Sequence, residues 1–218
     1  MFVWEKSSTF AVPNKIRIML FASQLHDFKM LLPWVRIRHE QLALRAVIEQ
    51  QRRVMTPEQV AEQSALIIAR LEQMSSFQAA KTVLLYYPIQ NEVDVLPLVK
   101  KYKHEKTLLF PVSHRHGMTV HPYAGNKNMH RGKFGIPEPT TPAYEGGIDL
   151  VIVPAVAFDA KGRRLGRGGG YYDRFIKKLT HAVLVGVGYD FQLVEQVPTS
   201  QHDQCVHRII LPSQTIVI

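Results

Sequence analysis

The stretch RLGRGGGYYDRF, residues 164–175, gathers the residue types that handle anionic groups. Four glycines, Gly166, Gly168, Gly169 and Gly170, leave backbone unshielded, so several N–H groups can converge on one anion. Arg164 and Arg167 add positive charge to that concavity. The run from Tyr171 to Leu179 reads as a helix, whose first turn aims further N–H groups at the same place. Asp173 lies in that turn, where a carboxylate can hold a divalent metal against phosphate oxygens. The chemistry predicted is polyphosphate binding.

Two better-known phosphate motifs fit less well. No lysine followed by serine or threonine closes the glycine run, so the Walker pattern is absent. The dinucleotide pattern begins at Gly166, but Tyr171 stands at its third glycine position. Asp190 lies 20 residues past Gly170, which keeps a nicotinamide-dinucleotide reading open in weakened form.

The elements that position this loop follow from periodicity. In residues 37–55 Leu44, Val47, Ile48 and Met55 share one helical face, and Arg45, Arg52 and Arg53 read as a solvated basic surface. Thr56 then caps a second helix, with Pro57 at its first position and Gln59 as capping-box partner. That helix runs to about Met74 and turns Val60, Ala61, Ile67, Ile68 and Leu71 inward. Beyond Phe77, apolar runs at 82–87, 107–112, 118–123, 149–154 and 182–188 read as strands, with a helix over 95–103. Residues 126–147 are rich in glycine, proline and polar groups and read as a long loop containing the extended piece FGIPEP. Strands alternating with helices predict an α/β fold of three layers, doubly wound, with a mostly parallel sheet and helices on both faces. Ligands bind such sheets beyond the carboxyl ends of the strands, so Glu92, Pro139 and the glycine loop are expected around one cleft.

Composition bounds the rest. The 218 residues fit one domain, or one domain with an appendage, and 46% hydrophobic residues can bury a core. A single cysteine, Cys205, excludes an internal disulfide and suits a reducing, cytoplasmic setting. The +9 formal charge invites an anionic partner. Its scatter along the chain favours a small anion over nucleic acid. Residues 1–36 have no apolar span long enough for a membrane and no signal-peptide pattern. They read as a poorly ordered leader or an over-extended start with Met30 as initiator, ahead of one domain over 37–218.

RLGRGGGYYD, preceded by DLVIVPAVAFDAKG, resembles the signature of the 5-formyltetrahydrofolate cyclo-ligases, also called methenyltetrahydrofolate synthetases. The likeness extends to FGIPEP, YYPIQNEVD, LRAVIEQQRRVMT and VPTSQHD, and so spans about residues 41–208. It implies an architecture like that of sugar-phosphate isomerases and coenzyme A transferases. It also implies ATP-dependent closure of 5-formyltetrahydrofolate to 5,10-methenyltetrahydrofolate, with magnesium, in a monomeric enzyme without nucleic-acid or membrane partners. By resemblance the ATP-binding positions are Gln41, Arg45, Arg164, Leu165, Gly166, Arg167, Gly168, Gly169, Gly170, Tyr171 and Tyr172. Ile89, Glu92, Arg167, Gly168, Gly169, Gly170 and Tyr171 face the folate, with Arg167 and Tyr171 catalytic. Asp173 and Asp203 are the magnesium-binding pair. The family usually has lysine where this chain has Gln41, and aspartate where it has His207. Two other readings stay open: a transferase using Glu92 without ATP, and a basic nucleic-acid-binding module.

Overall fold

The computed structural model describes residues 33–132, 135–199 and 203–218. By its contacts the chain divides into two units, Met1–Arg36 and Ile37–Ile218. The sheet, its cores and the site residues belong to the second. The expected leader falls almost wholly outside the described residues, and so does Phe134 of the FGIPEP piece.

Helix α1 spans Pro33–Arg53, and α2 spans Pro57–Glu72. The predicted capping box between them is present: Gln59 N donates to Thr56 Oγ1 at 3.3 Å, and Thr56 N donates to Gln59 Oε1 at 2.9 Å. Helices α3 (Ser75–Ala79) and α4 (Leu96–Tyr102) flank strand β1, Thr82–Leu84. Next come β2 (Thr107–Ser113), β3 (Met118–Pro122), β4 (Met129–Arg131), β5 (Pro137–Pro139) and β6 (Leu150–Pro154). Strands β7 (Ala157–Asp159) and β8 (Arg164–Leu165) lead to helix α5, Tyr171–Ile176. The chain ends with β9 (Val183–Val187), β10 (Leu193–Val194), β11 (Arg208–Ile210) and β12 (Thr215–Val217).

Seven strands form the main sheet in the order β12-β11-β9-β6-β1-β2-β3. The five inner strands run parallel, and an antiparallel strand closes each edge. Residue alternation splits the core in two. Val83, Leu108, Leu150, Ile152 and Val185 pack with Ile67 and Leu71 of α2 and Leu98 of α4 on one face. Leu84, Leu109, Val151, Val153 and Leu184 pack with Ile176 of α5 on the other. Because both faces are covered, the strands read as continuous apolar runs rather than alternating ones. The fold is the mostly parallel α/β sheet flanked by helices that the sequence predicts.

The connections explain where a site can form. From β1 the chain passes through α4 on the first face to β2; from β6 it passes through α5 on the second face to β9. Neighbouring strands β1 and β6 therefore send their chains to opposite sides, opening a crevice beyond their carboxyl ends.

Several expectations shift in detail. Helix α5 stops at Ile176, short of the expected Leu179, and Lys177–Leu179 form turns. The expected loop 126–147 holds the antiparallel pair β4–β5. Pro139 pairs with Met129 there, and Glu138 accepts a hydrogen bond from Ser113 N at 3.0 Å. Val47 and Ala61 are exposed rather than inward-facing. Arg52, expected on a solvated face, is 1% exposed.

Candidate active site

The glycine loop is set by a small second sheet, β10-β7-β8, which the sequence does not foreshadow. Asp159, fully buried at the end of β7, organises the turn that returns the chain into β8. Its Oδ1 accepts from Lys161 N at 2.9 Å, and its Oδ2 accepts from Arg163 Nε at 2.6 Å and Val197 N at 2.9 Å. Gln192 fastens the segment between β6 and β7, donating to Ala155 O and Val156 O at 2.9 Å. Arg164 thus enters the site from an edge strand held by β7 and by the turn at Asp159, and its side chain is buried.

Beyond Leu165 the loop turns through two glycines in the left-handed region, Gly168 at φ +96° and Gly170 at φ +63°. Gly170 leads straight into α5. Arg174 Nη2 donates to Gly169 O at 2.9 Å, and its guanidinium lies 5.3 Å over the Tyr171 ring. From the opposite wall, Arg45 Nε donates to Gly166 O at 2.8 Å. Burial lowers the Arg45 guanidinium below its ordinary pKa, while Glu49 and Asp203 pull it back up. Gln41, one turn earlier on α1, donates to Pro198 O at 2.9 Å. A neutral amide at this position therefore ties α1 to the 195–199 segment.

Glu92 meets the loop from the β1 side. Arg167 donates to its Oε1 from Nη2 at 2.7 Å and from Nε at 3.0 Å, while Arg167 Nη1 donates to Gln90 Oε1 at 2.9 Å. Ile89 N donates to Glu92 Oε2 at 3.1 Å. Arg52 Nη1 stands 3.6 Å from the same Oε1. The turn carrying Glu92 has two left-handed residues, Gln90 at φ +50° and Asn91 at φ +58°. Asn91 tolerates that conformation and caps α1, donating from Nδ2 to Arg52 O and Met55 O, both at 3.1 Å. The hydroxyl of Tyr172 is buried and without a hydrogen-bond partner among the described residues. Burial, reinforced by the negative charge of Glu92, pushes this phenol above its usual range.

Asp173 forms a second corner. Asp173 Oδ1 accepts from Arg164 Nη2 at 2.8 Å and from Gln204 N at 3.0 Å. The latter bond sets the backbone that follows Asp203 against this carboxylate. Asp173 is thus also the ionic brace of buried Arg164, a role its sequence position alone does not reveal. His207 lies elsewhere: its Nδ1 accepts from Leu184 N at 3.1 Å, near the amino-terminal ends of β9 and β11.

The structure brings together Arg167 with Glu92, Arg45 with the loop backbone, and Asp173 with Arg164. Arg52, Gln90, Asn91, Asp159 and Gln192 support these groups without having been singled out from sequence. Asn91 carried the one usable signal, an Asn just after a strand in a polar turn. Among the described residues no helix is long and apolar enough to cross a membrane.

Comparison with known proteins supplies a context for this arrangement. The model of the 5-formyltetrahydrofolate cyclo-ligase family matches residues 37–212. The 5-formyltetrahydrofolate cyclo-ligase of Escherichia coli K12 is 32% identical over 185 residues, covering 77% of this chain and 98% of that protein. The enzyme of the same name from Mus musculus is 25% identical over 195 residues, covering 81% and 95%. Among solved structures, the 5,10-methenyltetrahydrofolate synthetase of Aquifex aeolicus superposes with a TM-score of 0.74 at 32% identity, covering 81% of this chain and 92% of that one. The synthetase of Mycoplasma pneumoniae, 24% identical with a TM-score of 0.63, shares the fold over 78% of this chain and 97% of its own. The chain belongs to the 5-formyltetrahydrofolate cyclo-ligase family.

Proposed function

We propose that the protein closes 5-formyltetrahydrofolate to 5,10-methenyltetrahydrofolate, using ATP and releasing ADP and phosphate. The observation that carries this reading is the meeting of Arg167 with Glu92 at the mouth of the crevice. It joins a phosphate-seeking loop to a carboxylate suited to the N–H donors of a pterin. Glu92 holds the pterin edge, Ile89 contacts its apolar side, and the loop backbone from Gly166 to Gly170 cradles the phosphates. Arg45 and Arg164 neutralise phosphate charge, with Gln41, Leu165 and Tyr172 completing the nucleotide side. Tyr171 and Arg167 line the junction between the two substrates.

The chemistry follows from a weak electrophile. The formyl group is an amide whose nitrogen donates into the carbonyl, so the carbon resists attack. Transfer of the terminal phosphoryl group to the formyl oxygen breaks its bond to ADP and makes that oxygen a leaving group. The neighbouring folate nitrogen then attacks the same carbon, the carbon–oxygen bond breaks, and phosphate departs as that nitrogen loses its proton. The protein's task is to place the reactants in line and stabilise charge on the transferring oxygens. Arg167 takes up that task once it exchanges Glu92 for the phosphoryl group. Glu92, held between two guanidinium groups, is not placed as the nucleophile of an ATP-independent transferase.

The magnesium expected by resemblance fits the donors present. Asp173 and Asp203, joined through the Gln204 N–H that Asp173 accepts, offer hard carboxylate oxygens, and among the described residues no cluster of three or more His, Cys, Asp or Glu forms a closed metal cage. Magnesium is commonly held by one or two carboxylates together with substrate phosphates. When bound there it would offset phosphate charge. Asp173→Asn is expected to lower turnover on the order of 10²-fold, with folate affinity changed far less. Steady-state rates at saturating ATP and magnesium, beside a folate titration, measure both; undiminished turnover would remove Asp173 from this role. The same reading makes the protein a cytoplasmic, monomeric enzyme of one-carbon metabolism acting on small molecules alone.

The direct test of activity is ADP release with and without 5-formyltetrahydrofolate. Release that appears only with the folate, one ADP for each methenyl product, supports the reading. Folate-independent hydrolysis, or methenyl formation without ATP, would contradict it.

A further inference from the structure

Arg52 stands behind the site, 1% exposed, among the most completely buried large side chains of the protein. A buried guanidinium loses its hydration and persists only beside a counter-charge. Glu92 is that counter-charge, yet the 3.6 Å between Arg52 Nη1 and Glu92 Oε1 is too long for a hydrogen bond. Among the described residues this Nη1 has no hydrogen-bond acceptor. Glu92 Oε1 is meanwhile taken by Nη2 and Nε of Arg167. The two arginines differ in freedom: the Arg52 side chain is 2% exposed and that of Arg167 36%.

We infer that Arg52 is a positioning residue: the fixed counter-ion that keeps Glu92 charged and aimed into the folate site when Arg167 leaves Glu92 for the phosphoryl oxygens. The inference rests on the ring-closing reading above. A carboxylate must stay ionised to accept the N–H groups of a pterin, and a buried one that loses its only cation takes up a proton instead. Arg52 prevents that, because its open donor needs only a small approach to become a direct hydrogen bond as Arg167 departs. Its backbone is already tied to the same turn, since Arg52 O accepts from Asn91 Nδ2. The groups around Glu92 leave the arginines in control of its charge. Tyr86, Tyr172 and Tyr189 approach from β1, α5 and the end of β9, and burial raises all three phenols above their usual range, so they stay neutral. Asp94 adds a negative charge nearby, felt by Tyr86 and Tyr189, which increases the need for a fixed cation.

Calorimetric titration with 5-formyltetrahydrofolate in the presence of magnesium and a non-hydrolysable ATP analogue, which draws Arg167 to the phosphoryl oxygens, tests this directly. The parent protein, with Arg52 still beside Glu92, is expected to bind with a flat pH profile. With Arg167 drawn away, Arg52→Met leaves Glu92 without a cation, so folate affinity is expected to be about tenfold weaker near pH ~6 than near pH ~8. Arg52→Lys, which keeps a cation, restores the flat profile. A folded Arg52→Met protein with the parent's profile, or with a loss equal at every pH, overturns the inference by reducing Arg52 to a packing residue. Thermal unfolding covers a variant too unstable to titrate. The double variant Arg52→Met with Glu92→Gln is expected to be more stable than Glu92→Gln alone, which leaves buried Arg52 without its counter-charge. A double variant no more stable overturns the pairing. If the parent binds no 5-formyltetrahydrofolate, the functional reading itself fails, whatever the variants do.

Discussion

Arg167→Met is expected to reduce turnover by about 10²–10³-fold, the scale for losing one group that stabilises transition-state charge. The fold has little stake in this side chain. It is 36% exposed, and its bonds to Glu92 and Gln90 lie at the crevice mouth. Partly exposed pairs contribute only about 0–1 kcal/mol to stability. Folate affinity should change much less than turnover, because Glu92 keeps Arg52 as a counter-ion and Ile89 N as a donor. Single-turnover rates measured beside a folate titration separate the two effects. A variant that loses folate affinity but keeps its single-turnover rate would show that Arg167 only shapes the folate pocket.

Gly168→Val should abolish productive ATP binding while leaving the protein folded. At φ +96° the backbone of Gly168 lies where L side chains are rare, and a β-branched one is worst placed. Space is not the obstacle, because an added Cβ would sit 3.7 Å from Arg45 Nη2, an ordinary contact. The obstacle is conformation, with strain of about 1–3 kcal/mol that the exposed loop can relieve by rearranging its N–H groups. Those N–H groups are the proposed phosphate cradle. The expected result is an ATP dissociation constant raised by more than ~10-fold, with far-ultraviolet circular dichroism unchanged. An unchanged affinity would make the loop a structural turn.

What the sequence discloses is largely what is local. The capping box at Thr56 and Gln59 depends on residues three apart, and it forms as read. The strand over Leu150–Pro154 announces itself as an apolar run because both of its faces are covered. The glycine loop is legible as a run, but which glycines require the left-handed region is decided by how β8 enters and α5 leaves. Arg52 is illegible for the opposite reason. A basic residue late in a helix is ordinarily solvated, and the carboxylate that makes its burial tolerable is Glu92, 40 residues on in the sequence. Asp173 shows the same limit: its spacing suggests a metal ligand, and only the fold reveals Arg164 and Gln204 on its Oδ1. The pair β4–β5 and the small sheet β10-β7-β8 escape a pattern reading because strands of two or three residues are too short to show a period.

The proposed reaction turns on phosphorylation of the formyl oxygen. 5-Formyltetrahydrofolate labelled with oxygen-18 in the formyl group, incubated with ATP, magnesium and the protein, tests it in one experiment. Mass spectrometry of the inorganic phosphate is predicted to find one heavy oxygen for each molecule of methenyl product. Phosphate carrying only unlabelled oxygen, with the label released into water, would contradict the account.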